Sequence, residues 1–66
     1  MPTTTYEVIF HTLEGNEEIY EYNSMTDAHD HMNLFGADDA DTYKSITLRA
    51  YDWSAKQERI IEEVTL

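Results

Sequence analysis

Along residues 4 to 12, TTYEVIFHT, side chains alternate: Tyr6, Val8 and Phe10 fall on one side, Glu7, Ile9 and His11 on the other. A two-residue period predicts a β-strand with one apolar face and a second, partly apolar face. Leu13-Glu14-Gly15-Asn16 follows. Gly15 and Asn16 tolerate the positive φ that a tight hairpin turn needs. EEIYEYN, residues 17 to 23, then predicts the returning strand of a β-hairpin.

The period changes next. Met25, Ala28, Met32 and Phe35 recur at helical spacing, which predicts a helix over about residues 25 to 35. Ser24 with Asp27 fits a capping box with Asp in place of Glu, and Thr26 is a rival N-cap. Asp27 and Asp30 lie near the positive end of the helix dipole. Gly36 stands where a C′ glycine belongs. After an acidic loop, Ala37 to Thr42, YKSITLRAY (43 to 51) predicts a third strand, with Ile46, Leu48 and Ala50 on one face. The last segment reads two ways. SAKQERIIEEV opens with a second possible capping box, Ser54 and Gln57, and could run as a helix. RIIEEVTL could equally pair back on the third strand across Asp52 to Lys56. The strand is preferred, for its β-branched end and the short loop before it. With no repeat and no linker, the expectation is a single α+β domain over residues 1 to 66. It is a small antiparallel sheet of three or four strands with one helix packed on it, in the order ββαβ(β).

A chain of 66 residues buries a thin core, and without cysteine no disulfide or thiolate metal site supports it. Self-association is the cheapest remaining support. The absence of cysteine fits a reducing compartment. No apolar run approaches the roughly 20 residues that span a bilayer, and Met1-Pro2-Thr3-Thr4-Thr5 lacks the features of a secretory leader. A soluble cytosolic protein is expected. Charge sharpens the picture. Fourteen Asp and Glu stand against four Lys and Arg, a net charge of -10. Phosphates of nucleic acid and anionic membranes would be repelled, while a basic protein surface would be attracted and the encounter accelerated. The same acidity also serves solubility alone.

The richest stretch for chemistry is DAHDHMNLFGADDAD, residues 27 to 41, and it resembles a metal site at first sight. His29 and His31, however, sit roughly 200° apart on a helix. Asp27 with His31 is a better i, i+4 pair, but two ligands do not make a site, even were His11 to approach from its strand. No metal and no cofactor is expected. Paired carboxylates arise cheaply among so many acids, no phosphate-binding glycine loop is present, and so short a chain has little room for a water-excluding pocket. The chain is therefore expected not to be an enzyme. An interaction module remains, favoured by the acidity and by five tyrosines, Tyr6, Tyr20, Tyr22, Tyr43 and Tyr51.

Five short stretches occur in an order that resembles a known family: TYEV at 5 to 8, LEGN at 13 to 16, YEY at 20 to 22, NLFG at 33 to 36 and LR at 48 to 49. The family is the small dimeric uracil-DNA glycosylase inhibitor of short-tailed Bacillus phages that replicate by protein priming. The resemblance covers about residues 5 to 51, with a one-residue gap in the turn and a few extra residues after Gly36. It implies an acidic homodimer, acting in the cytoplasm of the infected bacterial host. Its partner would be the host uracil-DNA glycosylase, whose basic DNA-binding cleft it occupies as a DNA mimic. That enzyme pushes an apolar loop side chain into the duplex as uracil flips out; in the family, an apolar pocket bordered by helix aromatics captures that side chain, and carboxylates replace the phosphates.

Carried over position by position, the resemblance places the pocket aromatics on His31 and Phe35, with Tyr20 and Tyr22 beside them. His31 departs from the family's phenylalanine. The resemblance places a DNA-mimicking acid on Glu21; the loop acids Asp38, Asp39 and Asp41, just beyond the helix, are further candidates for that role. Residues 52 to 66 extend past the family's usual end and would add a strand, extend a dimer interface or lie outside the contact. Two other readings stay open: an acidic DNA mimic directed at a restriction or CRISPR nuclease, and a small acidic regulatory interaction domain.

Overall fold

The alternating and helical patterns resolve, in a computed structural model that describes residues 3–36 and 39–66, into four strands and one helix. The strands are β1 (Thr4–Thr12), β2 (Glu17–Tyr22), β3 (Tyr43–Asp52) and β4 (Gln57–Thr65); the helix is α1 (Met25–Asn33). All strand pairs are antiparallel, in the sheet order β2-β1-β3-β4. The expected α+β architecture is therefore realised with four strands, and the C-terminal segment is a strand, not a helix.

The core lies between one sheet face and α1. Val8 and Phe10 of β1, Ile46 and Leu48 of β3, and Ala28 and Met32 of α1 form a single buried cluster, with Tyr6, Tyr22, Phe35, Tyr43, Ile61 and Leu66 packed around it. The two-residue period delivers these side chains to one face, and i, i+4 spacing brings Ala28 and Met32 down onto it. The molecule is a thin slab, 38 × 22 × 15 Å, with one covered sheet face and one open face.

Local chemistry explains the connections. In the β1–β2 turn Gly15 adopts φ 93°, which a side chain would resist. The Thr12 N–H donates to the Asn16 carbonyl (2.9 Å), and the Asn16 N–H donates to the Thr12 hydroxyl (3.0 Å). Ser24 is the N-cap of α1, in extended conformation, its hydroxyl accepting from the Asp27 N–H. Thr26 lies inside the first turn, so it does not cap. The helix ends at Asn33, before the expected residue 35, with Leu34 as its right-handed C-cap. Gly36 does not serve as a left-handed C′ residue: Gly15 is the glycine with positive φ, and the Gly36 N–H donates to the Asp39 carboxylate at 2.9 Å. Between β3 and β4 the Asp52 carboxylate accepts from the Ser54 and Ala55 N–H groups, and Lys56 takes a left-handed φ of 52°.

A register shift between Leu48 and Arg49 marks a bulge in the β3–β4 pairing, where Leu48 faces Glu62 and Arg49 faces Ile60. Ile61 is the additional residue. The bulge lets Ile61 reach the core while Ile60 stays on the open face. The two outer strands are rich in carboxylates: Glu17, Glu18 and Glu21 on β2, and Glu58, Glu62 and Glu63 on β4. Among the described residues, no helix is long and apolar enough to cross a membrane.

Candidate functional site

His31 near the end of α1, Phe35 just after it, Tyr20 and Tyr22 at the end of β2, Phe10 of β1 and Tyr43 at the start of β3 bring six rings together. Phe10, fully buried, is the hub: its ring centroid lies 4.7 Å from Phe35, 5.1 Å from Tyr43, 5.2 Å from His31 and 5.7 Å from Tyr20. Around it, His31 lies 4.9 Å from Tyr20, 5.6 Å from Tyr22 and 5.9 Å from Phe35. Edge-to-face geometry, which dominates here, matches each ring's positive edge to its neighbour's negative face. The four aromatic positions chosen from sequence, His31, Phe35, Tyr20 and Tyr22, thus share one corner of the covered face.

One polar contact lies inside the corner. The Tyr22 hydroxyl and His31 Nδ1 are 2.6 Å apart, a single hydrogen bond. His29, by contrast, points toward β4: its Nε2 lies 3.1 Å from a Glu62 carboxylate oxygen, and its Nδ1 meets the Asn33 side chain. The third histidine, His11, sits on the open face between Thr47 and Glu17.

Acids border the aromatic corner, though not all those expected. Glu18, which sequence reasoning passed over, accepts hydrogen bonds from both the Tyr43 and the Tyr20 hydroxyls, at 3.2 and 3.4 Å. Partial burial of the ring, then the hydrogen bond and negative charge of Glu18, with smaller effects of Tyr20 and Asp39, push the Tyr43 phenol above its ordinary 10.0. Asp39 stands near the same corner, its carboxylate tied to the Gly36 N–H, and Asp41 is exposed in the following turn. Asp38 lies outside the described residues. Glu21 is on the other side of the sheet: it pairs across strands with Glu7 and lines an open-face groove with Arg49 and Trp53. The strand period separates it from Tyr20 and Tyr22, which flank it in sequence.

A second feature of the covered side was also missed. Between the first half of α1 and β4 lies a cleft of about 380 Å³, lined by Met25, His29, Leu48, Ile61 and Glu62 among others. It exists because α1 sits over β1, β2 and β3 and leaves the β4 end of the sheet uncovered. The signal that could have found it is the pair Ile60-Ile61, one residue too many for strict alternation.

Taken together, the covered side offers a preorganised aromatic corner, tyrosine hydroxyls and nearby carboxylates. Such a surface can bind an apolar side chain and a cationic surround. No protein-family profile, curated protein or solved structure matches the chain.

Proposed function

We propose that this chain is a protein inhibitor of a uracil-DNA glycosylase, acting as an acidic DNA mimic that receives the enzyme's apolar loop side chain at an aromatic pocket. The observation that carries the reading is the convergence of His31, Phe35, Tyr20 and Tyr22 around Phe10. These positions were chosen for their correspondence to the inhibitor family, and they come from two elements, β2 and the end of α1 with the residues after it. In the single chain the rings pack on one another and form one wall; a second copy facing this corner would complete a pocket, in keeping with a homodimer.

The charge supports the same reading. With a net charge of -10, the chain complements a cleft shaped for a phosphate backbone. Attraction would speed association, while an apolar plug among the rings would slow dissociation. The acids closest to the corner are Glu18 and Asp39, with Asp41 just beyond; these, more than Glu21, would stand in for phosphates on this side.

The test is a uracil-excision assay. Purified bacterial uracil-DNA glycosylase is titrated with the protein on uracil-containing DNA, and the mixture is run on a size-exclusion column. Stoichiometric inhibition with a co-eluting complex is the expected result. No inhibition at large excess of folded protein would overturn the reading. Net acidity alone also fits a mimic aimed at another enzyme of nucleic acids, and inhibition of a restriction or CRISPR nuclease in the parallel assay would favour that reading instead.

A further inference from the structure

The open face of the sheet has the anatomy of a contact surface and lies on the opposite side from the aromatic corner. Its centre is apolar. Ile9 is buried there and pairs across strands with Ile19. Ile19 is 53% exposed, Ile60 is 61% exposed, and Trp53 at one end is 55% exposed. Trp53 is held in place: its indole N–H donates to the Thr5 hydroxyl at 2.9 Å, and its ring packs against Tyr51 at 4.6 Å. A large aromatic surface fixed in position and left half in water is a poor use of apolar area in a chain with so little core.

The surround is acidic. Two adjoining hollows, of about 330 and 200 Å³, share Arg49 and Glu58. Their walls carry Glu7, Glu17, Glu21, Glu58 and Glu63 against the one guanidinium of Arg49. Arg49 is already committed, to Glu7 at 2.8 Å and to Glu58 at 3.1 Å. Five carboxylates against one guanidinium leave a formal charge of -4 on this face, His11 taken as neutral. The cross-strand pair Glu7 and Glu21 places two acids side by side, which costs stability in the isolated chain.

We propose that the open face is a second docking surface, for an arginine-bearing basic protein segment whose guanidinium groups pair with Glu21 and Glu63 and stack on Trp53. A second copy of this chain is the wrong occupant, because two such faces would oppose charges of -4. A guanidinium suits the site better than an ammonium, since it can stack flat on an indole while its edge meets carboxylates. The proposal concerns the face opposite the aromatic corner, shares only Glu21 with the glycosylase reading, and stands whether or not that reading holds.

The experiment uses an octa-arginine peptide, with octa-citrulline as its uncharged counterpart, at near-physiological salt. Affinity is measured by titration calorimetry, and Trp53, the sole tryptophan, reports contact by its fluorescence. Glu21→Gln with Glu63→Gln is compared with Glu14→Gln with Asp30→Asn, which removes the same charge away from the open face. Octa-arginine is expected to bind and alter Trp53 emission, and octa-citrulline not to. The open-face double variant should weaken binding about fivefold or more, as two partly exposed ion pairs imply, with the control little changed. Equal losses in the two double variants, binding without a change in Trp53 emission, or no binding would each overturn the proposal. So would Trp53 emission that depends on protein concentration alone, which would assign the face to a second copy.

Discussion

The hydrogen bond between Tyr22 and His31 can be weighed by a double-mutant cycle, and its outcome measures what a histidine contributes inside the aromatic corner. Tyr22→Phe removes the 2.6 Å contact and leaves His31 Nδ1, in a half-buried ring, without that partner. The expected loss is about 1 to 1.5 kcal/mol. His31→Phe loses the same bond but places a fully apolar ring among Phe10, Tyr20, Tyr22 and Phe35. The added apolar burial contributes about 1 kcal/mol, so that variant should lie near wild type. In the double variant the bond is lost only once and neither group is left unpaired. It should fall within about 0.5 kcal/mol of wild type, a coupling of about 1 kcal/mol. A 66-residue domain has a total stability of about 3 to 10 kcal/mol, so a shift of this size is measurable. The assay is urea unfolding followed by Trp53 emission and far-ultraviolet circular dichroism, read from midpoints at constant m-value. Trp53 lies on the open face, so its signal reports global unfolding and not the mutated corner. If the effects of the two single variants simply add, the bond contributes nothing to the fold and the reasoning fails.

Three further outcomes are expected. Phe35→Ala should weaken the proposed complex with a glycosylase by about 2 kcal/mol or more, whereas changing any one exposed acid should cost about 0.2 to 1 kcal/mol; unchanged affinity for a folded Phe35→Ala protein would refute the proposed role of the aromatic corner. Phe10→Ala should cost about 3 to 5 kcal/mol, because a fully buried ring at the hub of the cluster leaves a cavity that its neighbours only partly fill; a urea midpoint close to wild type would refute that packing. The folded chain holds the Tyr43 proton more tightly than the unfolded chain, so its contribution to stability is complete below the ordinary value of 10.0 and declines as pH rises above it. Tyr43→Phe should remove that part of the alkaline decline, and Glu18→Gln should bring the phenol's ultraviolet titration back toward the ordinary range.

Most of the fold was legible because its signals are local. The alternation of Tyr6, Val8 and Phe10 and of Ile46, Leu48 and Ala50 marks two central strands whose covered faces are where the period puts them. Gly15 and Ser24 act as their chemistry predicts. The helix end was not legible. Gly36 looked like a terminator, but termination came at Leu34, and the glycine's N–H was taken by Asp39 instead. The register of β4 was hidden for a different reason: a bulge at Ile61 reverses the alternation midway, and its cause is long-range pairing with Leu48 and Arg49. At the candidate site, the aromatic positions came from a resemblance and converged in space. Glu18 was invisible because its partners, Tyr20 and Tyr43, are brought to it by two different strands. Glu21 was grouped with its tyrosine neighbours, although the two-residue period alone puts it on the other face.

The carboxylates of the outer strands have a consequence for how this protein keeps apart from its own copies. Beyond β2 and β4 the sheet has no further strand among the described residues, so each rim presents backbone donors and acceptors that another chain could template onto. At neutral pH a newcomer would bring Glu17, Glu18 and Glu21, or Glu58, Glu62 and Glu63, against a row of like charge. Exchanging these six glutamates for glutamine would remove that barrier while leaving the hydrogen-bonding rims intact. Growth from two different rims does not close on itself, so such a variant is expected to form an open polymer that lengthens with protein concentration, rather than a dimer.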